Sequence, residues 1–199
     1  MIEHSFNTMS VDMNKALKKQ KIINTAIKLF VKNGIHNTSM QMLAKKAGIA
    51  TGSIYTYFDS KDALVVEAFY CIVNESIAAV KSNYDANQLV KERFYYLLEE
   101  KIRFDIKHPE KFKFLGMCSY EPIVMQKIQK NDWENSPLAA VLDDGKKECL
   151  LKELPIHDAF YYIFGGIGSL LEWRLFNRKH ISDTDITNMI DMAWNAIKQ

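Results

Sequence analysis

The residues whose types and spacing could do chemistry lie in the stretch Ala50-Thr-Gly-Ser-Ile-Tyr-Thr-Tyr-Phe58. Thr51, Ser53, Tyr55, Thr56 and Tyr57 carry hydroxyls that suit phosphate oxygens, and the phenol rings and threonine methyls suit the methyl group of thymine. Ala50 and Gly52 are small, so a helix that starts here can enter a major groove about 12 Å wide. Lys61 follows at the head of the next apolar-periodic stretch, within reach of a phosphate. This is the chemistry of noncovalent recognition.

Other chemistries lack their residues. Cys71, Cys118 and Cys149 are odd in number and widely spaced, with no Cys-x-x-Cys pair or Cys/His cluster, so neither a disulfide framework nor a metal site is expected. The run Gly165-Gly-Ile-Gly168 precedes more helix-forming sequence instead of following a strand, which argues against a phosphate loop. No nucleophile elbow or distinctive carboxylate pair is present. The expectation is a protein that is not an enzyme and needs no cofactor.

Charge divides the chain. Residues 1–64 hold nine lysines against Glu3, Asp12, Asp59 and Asp62, a balance of +5, while the remaining 17 Lys and Arg against 20 Asp and Glu leave −3. A basic first third suggests a polyanionic partner for that part alone. The N-terminus has no apolar signal-type run, and the longest apolar run, Ala159 to Leu171, is too short to span a bilayer, so a cytoplasmic protein with no membrane partner is expected.

The elements that must position these residues read as helices throughout. Only 8 Gly and 4 Pro punctuate 199 residues, and no alternating strand pattern of useful length appears. After a loose tail at 1–14, Ile23, Ala26, Ile27 and Phe30 fall at helical spacing, and Gly34 stands where a left-handed residue ends a helix. Thr38 or Ser39 can cap a second helix with Met42, Leu43 and Ala47 inward. Ala47-Gly48-Ile49 then makes the sharp turn of a helix-turn-helix, and the third segment, 50–58, buries Ile54 and Phe58. A fourth helix covers about 60–83. Later helices span about 86–107, 109–119 and 155–179, with a last one capped by Ser182. The fold class is all-α, with about nine helices.

At this point the sequence resembles a known family. Gly34-Ile-His-Asn-Thr-Ser-Met-Gln-Met-Leu-Ala-Lys-Lys-Ala-Gly48, the stretch Ile49 to Phe58, and Asp59-Ser-Lys-Asp-Ala-Leu64 look like the TetR-family DNA-binding domain. The resemblance implies that Ser39, Met40 and Gln41 face DNA. It implies the same for Ala50, Thr51, Gly52, Ser53, Tyr55, Thr56 and Tyr57, with Lys61 on the backbone. The chain departs from many relatives in having no positive charge on the recognition helix, so affinity would lean on Lys45, Lys46, Lys61 and the basic Lys15, Lys18, Lys19 and Lys21.

The resemblance further implies domains at 15–64 (helix-turn-helix) and 65–199 (effector binding and dimerisation). Its partners would be double-stranded operator DNA, a hydrophobic small-molecule effector and a second copy of the chain. Phe69, Tyr70, Phe94, Phe104, Met117, Tyr120, Met125, Tyr161 and Tyr162 are candidate effector-lining residues, and Trp133 adds to this aromatic content; ordinary core packing is the alternative for each. The candidate dimer strip is Phe160, Phe164, Ile167, Gly168, Leu171 and Leu175 with Ile190 and Trp194. The expected function is a repressor released from its operator by a hydrophobic effector. An activator, or a helical small-molecule carrier, is the alternative.

Overall fold

The structure, a computed structural model, describes residues 2–127 and 136–199, with side chains from Met13 onward; Trp133 lies outside the described residues. Ten helices follow one another among the described residues: α1 (Ile2–Asn33), α2 (Met40–Ala47), α3 (Thr51–Tyr55), α4 (Lys61–Lys81), α5 (Val90–Lys107), α6 (Pro109–Cys118), α7 (Pro122–Lys127), α8 (Pro137–Lys147), α9 (Ile156–Phe176) and α10 (Asp183–Ile197). The sequence reading differs from this at two places. No Gly or Pro interrupts the first 33 residues, and the stretch read as a loose tail is the start of α1. Pro122 and Pro137, in the stretch between 119 and 155 to which the sequence reading assigns no helix, each begin one, because a first-turn proline lacks only an N–H that the helix leaves unpaired.

The chain forms two compact units. The first holds Met1–Ile72 with Lys113–Lys127. Its core takes Ile22, Ile23, Ala26, Ile27 and Phe30 from α1 and Leu64, Val65, Ala68 and Ile72 from α4, all at helical spacing and all buried. Phe114 of α6 is fully buried and stacks on Phe30 with ring centroids 5.8 Å apart. By composition α4 is long and apolar enough to cross a bilayer, yet Leu64, Val65, Ala68 and Ile72 are all core residues.

The second unit holds Val73–Phe112 and Ile128–Gln199. Here α5, α8, α9 and α10 pool their apolar faces around Phe94, Leu98, Leu142, Ile163 and Leu171. Phe94 packs on Trp194 at 5.2 Å between centroids. The capping signal at Ser182 is realised: its hydroxyl accepts from the Asp185 backbone N–H at 3.2 Å, and the Asp185 carboxylate accepts from the Ser182 N–H at 3.0 Å. Hydrogen bonds donated to that carboxylate by the Ser182 N–H and, at 2.8 Å, by the Ser182 hydroxyl, helped by Arg174 at 2.9 Å, hold the Asp185 carboxyl below its ordinary range. Phe94→Ala should cost about 3–5 kcal/mol of stability in urea unfolding, whereas Tyr120→Ala, at an exposed ring, should cost no more than about 0.5 kcal/mol. Equal midpoints for the two variants would remove Phe94 from the core.

Candidate nucleic-acid interface

The reading unit is assembled by caps. Ser39 holds an extended backbone and its hydroxyl accepts from the Met42 N–H at 3.2 Å, which starts α2. Thr38, the alternative cap, is buried and donates its hydroxyl to the Gly34 carbonyl at 2.8 Å. Gly48 ends α2 in the left-handed region at φ 70°, a conformation that costs a residue bearing a Cβ about 1–2 kcal/mol. The turn is closed by hydrogen bonds from Gly48 N to Lys45 O (3.3 Å) and from Ile49 N to Ala44 O (3.1 Å). α3 is only five residues long, and the chain then turns so that the Phe58 N–H returns to the Ile54 carbonyl at 3.0 Å. Ile54 and Phe58 are both buried, which turns the opposite side of the segment to solvent.

On that side Ala50, Gly52, Tyr55 and Thr56 are exposed, and Thr51, Ser53 and Tyr57 are half-buried. Three expectations change. Met40 is buried with Leu43, Ala44 and Ala47, the i, i+3, i+4, i+7 register of the core face, so Met40 faces inward while Met42 is exposed beside Gln41. Thr56 donates its hydroxyl to the Ser53 carbonyl at 2.7 Å, so that proton is already committed to the backbone. Lys61 also has protein partners: its ammonium donates to the carbonyls of Ile35 (3.1 Å) and His36 (3.3 Å). Two of its three protons therefore tie the head of α4 to the loop before α2, leaving one for a phosphate.

The residues read as effector-lining are not gathered in either unit. Phe69, Tyr70, Met117, Tyr120 and Met125 belong to the first unit, while Phe94, Phe104, Tyr161 and Tyr162 belong to the second. Phe94 is core, fully buried against Trp194. Tyr120 is 89% exposed, and Met125, Tyr161 and Tyr162 also face solvent. Phe104 is buried beneath the His108 ring, 4.7 Å between centroids. A cavity in the second unit, bounded by Leu142, Leu151, Ile156, Ala159 and Ile197, measures about 10 Å³, enough for one water.

The residues read as a dimer strip lie against the chain's own core. Ile167, Leu171, Ile190 and Trp194 are buried within one chain, and Phe160, Phe164, Gly168 and Leu175 are half-buried beside them. The opposite side of α9 is the open one. Tyr162, Gly165, Gly166, Ser169, Trp173 and Phe176 form a stripe at i, i+3, i+4, i+7, i+11 and i+14, exposed along its length, and a Cβ built on either glycine would touch nothing within 4 Å.

Buried polar groups on α5 escaped the sequence reading. Arg93 bonds Asp144 of α8 at 2.9 Å, and Asp105 pairs with Lys101 while its Oδ1 has no partner. Burial pushes the Asp105 carboxyl up, against the pull of Lys101 and His108. Burial, with Lys111 and Lys107, lowers His108. The available signal was a charged residue in the inward register of a helix whose other inward residues are apolar.

Comparison with known proteins bears on this geometry. The family model described as bacterial regulatory proteins, tetR family, matches residues 22–68. YerO of Bacillus subtilis strain 168, an uncharacterized HTH-type transcriptional regulator, is 38% identical over 65 residues, 33% of this chain and 22% of that protein. The chain spans about half or less of the length of the other curated relatives it matches. A tetR family transcription regulator from Shewanella sp. PV-4 superposes with a TM-score of 0.83 at 25% identity, over 92% of this chain and 98% of that one. FadR of Bacillus subtilis, solved with stearoyl-CoA, superposes with a TM-score of 0.73 at 20% identity, over 88% and 95%.

Tyr55→Ala and Tyr57→Ala should each weaken binding to the DNA upstream of the protein's own gene by about 1–3 kcal/mol, with the circular dichroism spectrum unchanged. Fluorescence anisotropy measures this, and wild-type affinity in both variants would exclude the α3 face as the reading surface.

Proposed function

We propose that this chain, whose residues 22–68 match the family model of tetR-family bacterial regulatory proteins and whose fold is that of the Shewanella regulator, is a TetR-family homodimeric repressor released from its operator by a hydrophobic effector. The observation that carries DNA recognition is the capped α2–Gly48–α3 unit, which buries Ile54 and Phe58 and so turns Ala50, Gly52, Tyr55 and Thr56 outward. Small residues lead this face, which lets the segment sit deep in a groove, and hydroxyl-bearing residues follow. Ser39, Gln41 and Lys61 complete the contact surface, with Thr51, Ser53 and Tyr57 at its edge. Transcription from the upstream promoter separates repressor from activator: deletion of the gene should raise it, and a fall would favour the activator reading.

Two half-sites read by two identical heads call for a two-fold dimer. We place its interface on the outer stripe of α9. Aromatic residues Tyr162, Trp173 and Phe176 flank a centre of Gly165, Gly166 and Ser169, where two helix backbones can approach closely. Such a stripe is self-complementary about its middle, as an isologous contact requires. Ser169→Glu should convert the dimer to a folded monomer, because it places a charge at the closest approach. Leu171→Glu, one face away in the core, should instead unfold the chain. Sedimentation equilibrium reads the outcome, and a Ser169→Glu dimer at micromolar concentration would move the interface elsewhere.

For the effector, the support is fold-level: FadR, with the same fold, was solved with stearoyl-CoA. A long-chain acyl-CoA is therefore the first compound to try. It can act only by favouring a conformation whose reading heads are misplaced, and α4, which contributes Lys61 to Ile72 to one unit and Val73 to Lys81 to the other, is the element through which we route the coupling. Saturating stearoyl-CoA should lower operator affinity about 5–150-fold. Binding that leaves operator affinity unchanged would refute this coupling.

A further inference from the structure

Three buried side-chain atoms lack a hydrogen-bond partner among the described residues: Arg93 Nε, Tyr96 OH and Asp105 Oδ1. Arg93 still bonds Asp144 through its guanidinium, and Tyr96 is only half-buried. Asp105 differs from both. It is 4% exposed, an ionised carboxylate can only accept, and Lys101 serves one of its two oxygens, Oδ2 at 2.5 Å. A buried acceptor left unpaired carries the full desolvation penalty of that group, which any molecule bringing a donor would relieve.

The surroundings of Asp105 say which donor. They lie within the second unit and comprise Glu75 of α4, Lys101, Phe104 and His108 at the end of α5, and Lys111 of α6. The His108 ring, one turn after Asp105, packs on Phe104 at 4.7 Å between centroids. Lys111 lies over the Phe104 ring at 6.0 Å and pairs with Glu75. Lys101 and His108 are half-buried while Asp105 is buried, so the carboxylate sits one layer beneath side-chain ends that can move. Lys101 and Lys111 already match Asp105 and Glu75 one for one, and Lys107 adds a cation at the exposed rim. Burial, with Lys111 and Lys107, holds His108 towards its neutral form. A corner that disfavours a proton on its own imidazole gives no advantage to an ammonium group, and an anionic group would be repelled by Asp105. A neutral hydroxyl fits both sides: it has a proton for the orphaned Oδ1 and an oxygen for the single N–H of a neutral imidazole.

We propose that Asp105 and His108 form the polar anchor of the effector site, and that the effector carries a neutral hydroxyl on an apolar body that lies against Phe104. This rests on the effector-binding reading above and adds to it the group the effector must present. The hydroxyl donates to Asp105 Oδ1 and accepts from His108, while Lys101 stays on Oδ2. Selectivity then comes from the protein's own buried groups, because a ligand without the hydroxyl leaves them unpaired, a heavier loss than a missing methylene.

The test uses decanol, decylamine and decanoate, which share one chain and differ in the head group alone, with stearoyl-CoA alongside. Isothermal titration calorimetry is run on wild type, Asp105→Leu and His108→Phe. Wild type should bind decanol at least ~10-fold more tightly than the ammonium or the carboxylate, since neither of those satisfies both groups. Asp105→Leu and His108→Phe should each lose that preference while keeping affinity for the chain. The melting temperature of Asp105→Leu should stay at or above the wild-type value. It removes a buried group lacking a partner on one oxygen, and Lys101, with 22% of its side chain exposed, can turn its ammonium to water. A marked fall would make Asp105 a structural partner of Lys101 and overturn the proposal. So would a folded variant of either kind that keeps the preference for decanol. A wild type that binds the three decyl compounds alike, or none of them, also overturns it; if that protein still binds stearoyl-CoA and leaves the operator, the effector-binding reading stands without the hydroxyl anchor. A wild type that binds neither stearoyl-CoA nor any decyl compound overturns both.

Discussion

The exposed face of α3, which we propose as the reading surface, exists because Ile54 and Phe58 are buried. A five-residue helix is far too short to sustain itself, since nucleation costs more than one turn of hydrogen bonds returns. α3 is held by the two apolar side chains that leave it for the core, by the Gly48 turn before it and by the Ile54–Phe58 turn after it. Everything exposed on the segment follows from that anchoring. With Ile54 and Phe58 inside, Gly52, Tyr55 and Thr56 have nowhere to point but outward. Lys19 over the Phe58 ring and Lys61 under the Ile35 and His36 carbonyls brace the same corner from α1 and α4.

Charge is used differently in the two units. In the second, cations meet acids: Arg93 is bound by Asp144, Lys101 by Asp105 and Arg103 by Glu99 and Asp183. The Arg93 pair joins α5 to α8 in one register, because sliding either helix would leave a buried guanidinium without its carboxylate, at a cost of several kcal/mol. In the first unit the lysines of α1 and α2 have almost no acids to meet. A net charge of +2 over the whole chain hides this contrast.

α9 shows how one helix can serve two surfaces. Ala159, Ile163, Ile167 and Leu171 face the chain's own core, and the stripe from Tyr162 to Phe176 runs along the opposite side. A helix that is apolar all round must be covered all round, and the second unit covers only part of it. The three glycines lower helix stability by roughly 1 kcal/mol each relative to alanine. Since a Cβ on any of them would meet nothing within 4 Å, close packing inside the chain does not account for them.

Local chemistry made much of this legible without coordinates. Spacing of apolar residues identified most of the helices, and Gly34, Gly48 and Ser182 marked ends of three, because caps and left-handed turns depend on residues only a few positions apart. The burial of Ile54 and Phe58 followed from the same periodicity. Which of two possible faces turns inward was decided by tertiary structure. Met40 displaced Met42 from the α2 core face, Leu171 entered the core where a dimer contact had been expected, and Phe94 met Trp194, far away in the chain. A helix's periodicity says that it has an apolar side but not what lies opposite. When apolar residues occur all round, as on α9, only the partners brought up by the fold choose between the sides.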